Sequence, residues 1–136
     1  MIKKLKALFG RIVQAEAPDT NLIYIVLPEG LLPVDRFEKY ENPLDAELKA
    51  AGLGFVSGGG TMMSAPDKEG NCTIEWCGVD VDTTDIPLAR AFLRTHLPHL
   101  GCQIETELEY DFEGLPFIDR YDGENWQLDL PNRKKP

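Results

Sequence analysis

The residues with the clearest chemical potential are three carboxylates in the segment DVDTTD, namely Asp80, Asp82 and Asp85. Oxygen ligands at such close spacing bind hard cations in calcium-binding loops. An EF-hand loop also requires a glycine at its sixth position and a glutamate at its twelfth, and this segment supplies neither. Exposed strand residues followed by a helix cap explain the pattern equally well, so we predict no metal site here.

Two histidines and three cysteines are the other candidates for metal binding or nucleophilic chemistry. His96, His99 and Cys102 follow one another at three-residue spacing, while Cys72 and Cys77 lie elsewhere. Zinc sites use ligands paired in short loops, and neither CxxC nor HxxxH occurs. No third group is placed to orient a Cys–His nucleophilic pair. Histidines at the negative end of a helix dipole and buried thiols explain these residues. We therefore predict no metal, no cofactor and no catalytic residue.

Three consecutive glycines, Gly58, Gly59 and Gly60, lie inside a predicted strand, where glycine is costly because it loses the most backbone entropy. Such a run marks a bulge, a bend, or a place where a ligand or another backbone comes close. Phosphate-binding loops also contain glycine runs, but here no lysine follows and no helix begins. We expect a bulged, bent strand at the sheet edge, and we take the three glycines as candidate binding residues.

Other candidate binding residues lie near the glycines in the predicted fold. Arg36 and Tyr40 belong to the long connection after the first strand, and loops carry function more often than cores do. Trp76 lies on the strand after the glycines. Together with Arg36 and Tyr40, it could line a small-molecule or enzymatic site beside the glycines. The acidic candidates on that same strand are Glu75, Asp80 and Asp82.

The elements that position these residues form one predicted domain, residues 1–136. Residues 1–16 are predicted to be an amphipathic helix, with apolar residues at three- and four-residue spacing and basic residues between them. Residues 111–136 hold a predicted hairpin around Asp122-Gly123 and a tail. The core, residues 21–110, contains in order a strand (22–27), a helix (42–51), a hairpin (53–82), a helix that starts at 84 or 85 and ends near 97, and a strand (103–110).

The order strand, helix, strand, strand, helix, strand predicts a ferredoxin-like βαββαβ fold, which is an α+β antiparallel sheet. Right-handed crossovers give a sheet order of 4-1-3-2, with both core helices on one face. On the third strand, Cys72, Ile74 and Trp76 share a face with Val79 and Val81 only if a bulge lies at Cys77-Gly78. The opposite face then carries Thr73, Glu75, Asp80 and Asp82.

The sheet face away from the helices is predicted to be an apolar stripe between two acidic columns. The first strand, LIYIVL, is apolar at every position, so we predict burial on both of its faces. The columns, on the third strand and at Glu105, Glu107 and Glu109 of the fourth, would lie about 9–10 Å apart. Such a stripe is not usually left bare. The N-terminal helix could cover it, against Ile23, Ile25 and Leu27 or against Leu22, Tyr24 and Val26; so could a neighbouring copy or another protein.

Composition narrows the class of partner. The net charge of −9 and the pI near 4.6 make nucleic acid a poor partner and favour a basic protein. No apolar run approaches the roughly 20 residues of a transmembrane helix. The N-terminal residues lack the unbroken apolar stretch of a signal peptide, and three irregularly spaced cysteines fit a reducing environment. We therefore expect a cytoplasmic protein.

The segments RFEKYENPLD and GLGFVSGGGT, with the strand ending in VDVD, resemble a family of small uncharacterised bacterial proteins that have a ferredoxin-like domain. The resemblance covers roughly residues 21 to 110 and implies that fold. It implies no activity, and it assigns no role to any residue. The N-terminal segment and the C-terminal hairpin lie outside it.

The sequence favours a binding protein over an enzyme. We expect a small acidic protein that neutralises or regulates a basic protein partner, by analogy with immunity proteins that neutralise toxins. The open sheet face also offers a surface for homo-oligomer formation. The alternative is a small-molecule-binding or enzymatic domain with its site beside Gly58 to Gly60.

Overall fold

The computed structural model describes residues 20–133, so the predicted N-terminal helix, residues 1–16, lies outside the described residues. Six strands form one antiparallel sheet, and the helices pack on one of its faces. The elements are β1 (Asn21–Leu27), α1 (Pro33–Arg36), a π-helical turn (Phe37–Glu41), α2 (Asn42–Ala50), β2 (Gly54–Met63), β3 (Ile74–Thr83), α3 (Ile86–His99), β4 (Glu107–Phe112), β5 (Leu115–Tyr121) and β6 (Trp126–Pro131).

The predicted α+β class and antiparallel sheet are confirmed, but the six-stranded sheet as a whole does not have the four-stranded ferredoxin-like order. The strands follow one another across it as β2-β3-β1-β4-β5-β6. The predicted C-terminal hairpin is present as β5 and β6, and β5 pairs with β4 along its whole length. This pairing makes the hairpin part of the same sheet, which therefore has six strands where the ferredoxin-like fold has four.

The core lies between the helices and the central strand β1. Side chains of β1 alternate, as those of a strand do: Ile23, Ile25 and Leu27 are fully buried, whereas Leu22, Tyr24 and Val26 are exposed or half-buried. These three buried side chains pack against residues of α2, α3 and the neighbouring strands β3 and β4, including Leu44, Leu48, Val79, Val81, Leu93, Leu97 and Leu108. Among the described residues, the predicted burial on both faces of β1 is therefore found only on the face that the helices cover.

The predicted bulge at Cys77-Gly78 is also wrong. β3 pairs with β1 from Cys77 to Thr83 without a register shift. Cys77 consequently lies on the helix-covered face with Val79 and Val81, and Trp76 lies on the opposite face. The register shifts occur between β2 and β3 instead, one at Ser57 and one near Met63.

The fourth strand begins later than predicted, at Glu107 instead of Gln103. Glu105 has a φ of 74°, in the left-handed region, so it belongs to the turn before β4. Glu107 and Glu109 pair with Val26 and Tyr24 and share their face of the sheet.

Among residues 20–133, none of the helices has the length and hydrophobicity that a membrane-spanning helix needs.

Candidate binding face

The sheet face opposite the helices, which we call the open face, has an apolar centre. β1 contributes Leu22, Tyr24 and Val26, and β3 contributes Trp76 beside them. The rings of Tyr24 and Trp76 meet edge to face, with their centroids 6.4 Å apart and their planes at 80°. An edge-to-face contact fixes the two rings relative to each other. The centre of the open face is therefore a defined aromatic surface.

Carboxylates border this centre on both sides. On β3, Asp80 pairs with Tyr24 and Asp82 with Leu22; on β4, Glu109 pairs with Tyr24. Because β3 and β4 are both neighbours of β1, the two columns lie two strand spacings apart, about 10 Å. One basic residue, Arg120, also lies on this face, and its Nε donates a hydrogen bond to Glu107 Oε2 at 2.9 Å. The face is therefore strongly acidic at its rim.

A groove of about 420 Å³ continues the open face toward the end of β1. Its lining combines aromatic, aliphatic and carboxylate side chains: Tyr24, Val26, Pro28, Glu75, Trp76, Glu105, Glu107 and Glu109. Carboxylates and aromatic faces both attract organic cations, the first by charge and the second by the ring quadrupole. The groove is thus suited to a lysine or arginine side chain that lies along its apolar surface.

Gly78 makes the position of Tyr24 possible. A Cβ at Gly78 would lie 1.9 Å from the hydroxyl oxygen of Tyr24, closer than any real contact. The Tyr24 ring therefore lies across β3 where a side chain would otherwise stand. Burial, followed by the negative charges of Asp80 and Glu109, raises the pKa of Tyr24. The phenol thus stays protonated and can act as a hydrogen-bond donor among the carboxylates.

Gly59 serves a contact on the other side of the sheet. Arg36 Nε donates to Glu41 Oε2 at 2.5 Å, and its Nη1 donates to Gly60 O at 2.9 Å and to Thr61 Oγ1 at 2.8 Å. The π-helical turn brings Arg36 and Glu41 together because π-helices place residues five apart one above the other. A Cβ at Gly59 would lie 2.6 Å from Glu41 Oε2. A glycine at this position therefore leaves room for Glu41 and Arg36, whose bonds join the π-helical turn to β2.

Tyr40 belongs to the same packed layer. Its hydroxyl donates to Glu29 Oε2, and Lys39 Nζ donates to Glu29 Oε1 at 2.7 Å. Burial, and then the bond to Glu29, raise the pKa of Tyr40. Tyr40 is fully buried and Glu29 nearly so. The three residues tie the connection after β1 to the π-helical turn, which is a structural role.

The structure thus divides the predicted site residues between the two faces of the sheet. Gly58, Gly60, Trp76, Asp80 and Asp82 belong to the open face, and Glu75 lies at its groove. Arg36, Tyr40 and Gly59 belong to the helix-covered face. The predicted small-molecule site lined by Arg36, Tyr40 and Trp76 is not assembled, because the sheet separates Trp76 from the other two.

Sequence reasoning missed a second polar cluster, which is centred on Asp119. This carboxylate is completely buried and accepts bonds from Arg90 Nε and Nη2, both at 2.9 Å, from Arg94 Nη1 at 3.0 Å and from Tyr110 Oη at 2.8 Å. The backbone N–H of Asp129 also donates to it, at 3.0 Å. These bonds join α3 to β4, β5 and β6. The spacing of Arg90 and Arg94 on one helix face was the signal available in the sequence.

The histidines and cysteines that the sequence offered as ligands or nucleophiles lie apart in the described part of the chain. Residues 20–133 contain no group of three or more His, Cys, Asp or Glu side chains that could hold a metal ion. The His96 ring stacks on the Phe92 ring, with the two ring centroids 3.8 Å apart. Burial raises the pKa of Cys102 to about 11, and Cys77 is fully buried with its thiol directed at the carbonyls of Glu29 and Leu31. Neither cysteine has the exposed thiolate that nucleophilic catalysis requires.

Comparisons with protein-family models, with curated proteins and with solved structures give no match for this chain. The geometry of the open face therefore carries the functional argument.

Proposed function

We propose that this protein is a small acidic binding protein that engages a basic protein partner through the open face. The observation that carries the proposal is the aromatic centre at Tyr24 and Trp76, bordered on both sides by carboxylates. Desolvated aromatic residues at the centre of an interface supply most of its affinity. Charges at the rim raise the association rate and select partners of opposite sign. The two features together favour a partner with an apolar, basic surface.

The charge of the whole chain supports the same partner. The net charge is −9, and the carboxylates Asp80, Asp82, Glu107 and Glu109 concentrate part of it on one face. Lysine and arginine can pack their aliphatic stems along an apolar centre while their charged ends reach a carboxylate rim. The described cysteines are free thiols, which supports the cytoplasm as the compartment.

The alternative, a small-molecule site beside the glycine run, has less support. The cavity there has a volume of about 280 Å³ and is lined by residues of the π-helical turn, α2 and β2, including Phe37, Asp45 and Gly58. This volume falls just below the range of roughly 300–1,000 Å³ typical of ligand pockets. Arg36 and Glu41 bond to each other and already fill the space beside Gly59.

A paired capture experiment tests the proposal. The full chain is immobilised as wild type, as Asp80→Lys/Asp82→Lys, and as Glu38→Lys/Glu47→Lys. Glu38 and Glu47 are exposed on the helix-covered side. Each double variant replaces two negative charges with two positive ones, so both change the net charge from −9 to −5. We expect a basic protein from the native host to be retained by the wild type and the helix-side variant and lost from the open-face variant. Equal loss from both variants would show that only total charge matters.

A further inference from the structure

Residues 1–13 differ in charge from the rest of the chain. They contain four basic side chains, Lys3, Lys4, Lys6 and Arg11, and no acidic one. All 23 Asp and Glu residues follow residue 13, together with only 10 of the 14 Lys and Arg residues. The chain therefore carries its own basic segment, with the sign of charge that the open face attracts.

The apolar residues of this segment recur with helical spacing. They are Ile2, Leu5, Leu8, Phe9, Ile12 and Val13. In a helix, this spacing gives one apolar stripe with basic residues beside it. The open face presents the complementary arrangement, an apolar centre with acidic residues beside it.

The connection to the sheet places the segment close to this face. Residues 1–19 lead directly to Thr20 and β1, and Leu22, at the start of β1, lies on the open face. Residues 14–19 separate the basic segment from Thr20, the first described residue, in the sequence. Six residues reach up to about 20 Å when extended. This length is enough for the chain to turn back over β1.

The dimensions of a helix match those of the acidic-rimmed centre. A helix of 13 residues is about 20 Å long, and a strand of seven residues such as β1 is about 23 Å long. A helix with its side chains is about 10–12 Å across. The two carboxylate columns are about 10 Å apart. A helix lying along β1 would therefore have a carboxylate column along each of its flanks.

We propose that the basic segment, residues 1–13, occupies the open face of its own chain and that a basic partner must displace it. The inference rests on the proposed function, because it treats the same face as a surface for basic segments. A tethered segment has an effective concentration in the millimolar range. A segment that binds with micromolar affinity would then hold the face closed and weaken partner binding by a factor of about 100 or more.

The test uses the full chain and a fluorescein-labelled synthetic peptide of residues 1–16 as the probe. Leu5→Glu/Leu8→Glu disrupts the apolar stripe of the tethered segment and leaves the open face intact. Leu32→Glu/Leu88→Glu makes the same chemical change at two exposed residues of the helix-covered side, each 57% exposed. Fluorescence anisotropy should show probe binding to the Leu5/Leu8 variant that is about 100-fold or more tighter than to the wild type. The Leu32/Leu88 variant should behave as the wild type.

The outcomes separate this inference from the proposed function. Equally tight probe binding to the wild type and the Leu5/Leu8 variant, abolished by Asp80→Lys/Asp82→Lys, overturns the inference and leaves the proposed function standing. Probe binding that Asp80→Lys/Asp82→Lys does not weaken places the probe elsewhere and counts against both. A wild-type dimer that the Leu5/Leu8 variant dissociates, measured by sedimentation, overturns the intramolecular arrangement in favour of a second copy. Wild-type binding to phosphatidylglycerol vesicles that is lost in the Leu5/Leu8 variant overturns it in favour of a lipid surface.

Discussion

Substituting Gly59 by alanine adds one methyl group at a position where the structure leaves no room for it. The new Cβ would lie 2.6 Å from Glu41 Oε2, 3.0 Å from Arg36 Nε and 3.0 Å from the carbonyl oxygen of Gly78. The Gly78 carbonyl belongs to the backbone of β3 and cannot move without disturbing the sheet. The substitution must therefore displace Glu41 and weaken its bond to Arg36.

The magnitude follows from the burial of this ion pair. The side chains of Arg36 and Glu41 are only 10% and 14% exposed, so separating them leaves two poorly solvated charges. Overpacking costs typically 1–3 kcal/mol and breaking a buried pair 3–5 kcal/mol, so we expect a loss of about 2–4 kcal/mol in the free energy of unfolding. Gly60→Ala is the matched control, because a Cβ there meets nothing within 4 Å. It should change stability by less than about 1 kcal/mol.

Urea denaturation followed by circular dichroism measures both variants, and a double-mutant cycle identifies the cause. In a Glu41→Ala background, the main obstacle to the new methyl group is absent, and Gly59→Ala should cost at least about 1 kcal/mol less than in the wild type. Equal destabilisation by Gly59→Ala and Gly60→Ala would show that the Arg36–Glu41 pair does not require glycine at position 59 and that any glycine of this strand is equally sensitive.

Three other predictions test other parts of the structure. Gly78→Ala should displace the Tyr24 ring, alter the fluorescence of Trp76 and weaken binding at the open face, whereas Gly60→Ala should not. Asp119→Asn should destabilise the fold by about 3–5 kcal/mol in urea denaturation because two arginines lose a buried counter-ion, while Asp129→Asn, at a side chain that is 60% exposed, should cost at most about 1 kcal/mol. The pKa of Tyr40 is raised in the folded state, so the folded protein holds this proton more tightly than the unfolded chain does. The free energy of unfolding should therefore fall as the pH rises above 10, the ordinary pKa of tyrosine. Tyr40→Phe should reduce that loss, as measured by denaturation at several pH values.

The local patterns of the sequence predicted much of the fold because they depend on neighbouring residues. Pro43 in the first turn of α2 and Gly52 just beyond its end lie where an early proline and a terminating glycine are expected. The expected cap at Asn42 is wrong, because the π-helical turn runs directly into α2 and no side chain caps its start. The acidic columns followed from the alternation of strand side chains. The bulge predicted at Cys77-Gly78 is wrong because the prediction placed Trp76 on the core face with Val79 and Val81. That assumption follows hydrophobicity, whereas the tryptophan contributes to the open face.

The remaining features depend on contacts between distant parts of the chain. Nothing local to Arg36 or Tyr40 indicates which sheet face their connection covers, so the sequence could not separate them from Trp76. The two arginines of the Asp119 cluster lie 25 and 29 positions from Asp119 in the sequence. Its assembly requires β5 to pair with β4, and the hairpin signal at Asp122-Gly123 predicted β5 and β6 but not their place in the main sheet. The role of Gly78 likewise depends on Tyr24, more than fifty residues earlier in the chain.

Amide chemical-shift mapping on the isotopically labelled full chain shows directly which face of the sheet binds a basic amphipathic segment. The probe is a synthetic amphipathic helix of leucine and lysine, and its control replaces every lysine with glutamate. If the open face is the binding surface, shifts from the lysine peptide should cluster on Leu22–Val26 of β1, on Trp76–Asp82 of β3 and on Glu107–Asp111 of β4, and the glutamate peptide should cause none. Shifts clustered instead around Phe37, Asp45 and Gly58, or spread over the helices, would contradict the assignment of the open face as the binding surface.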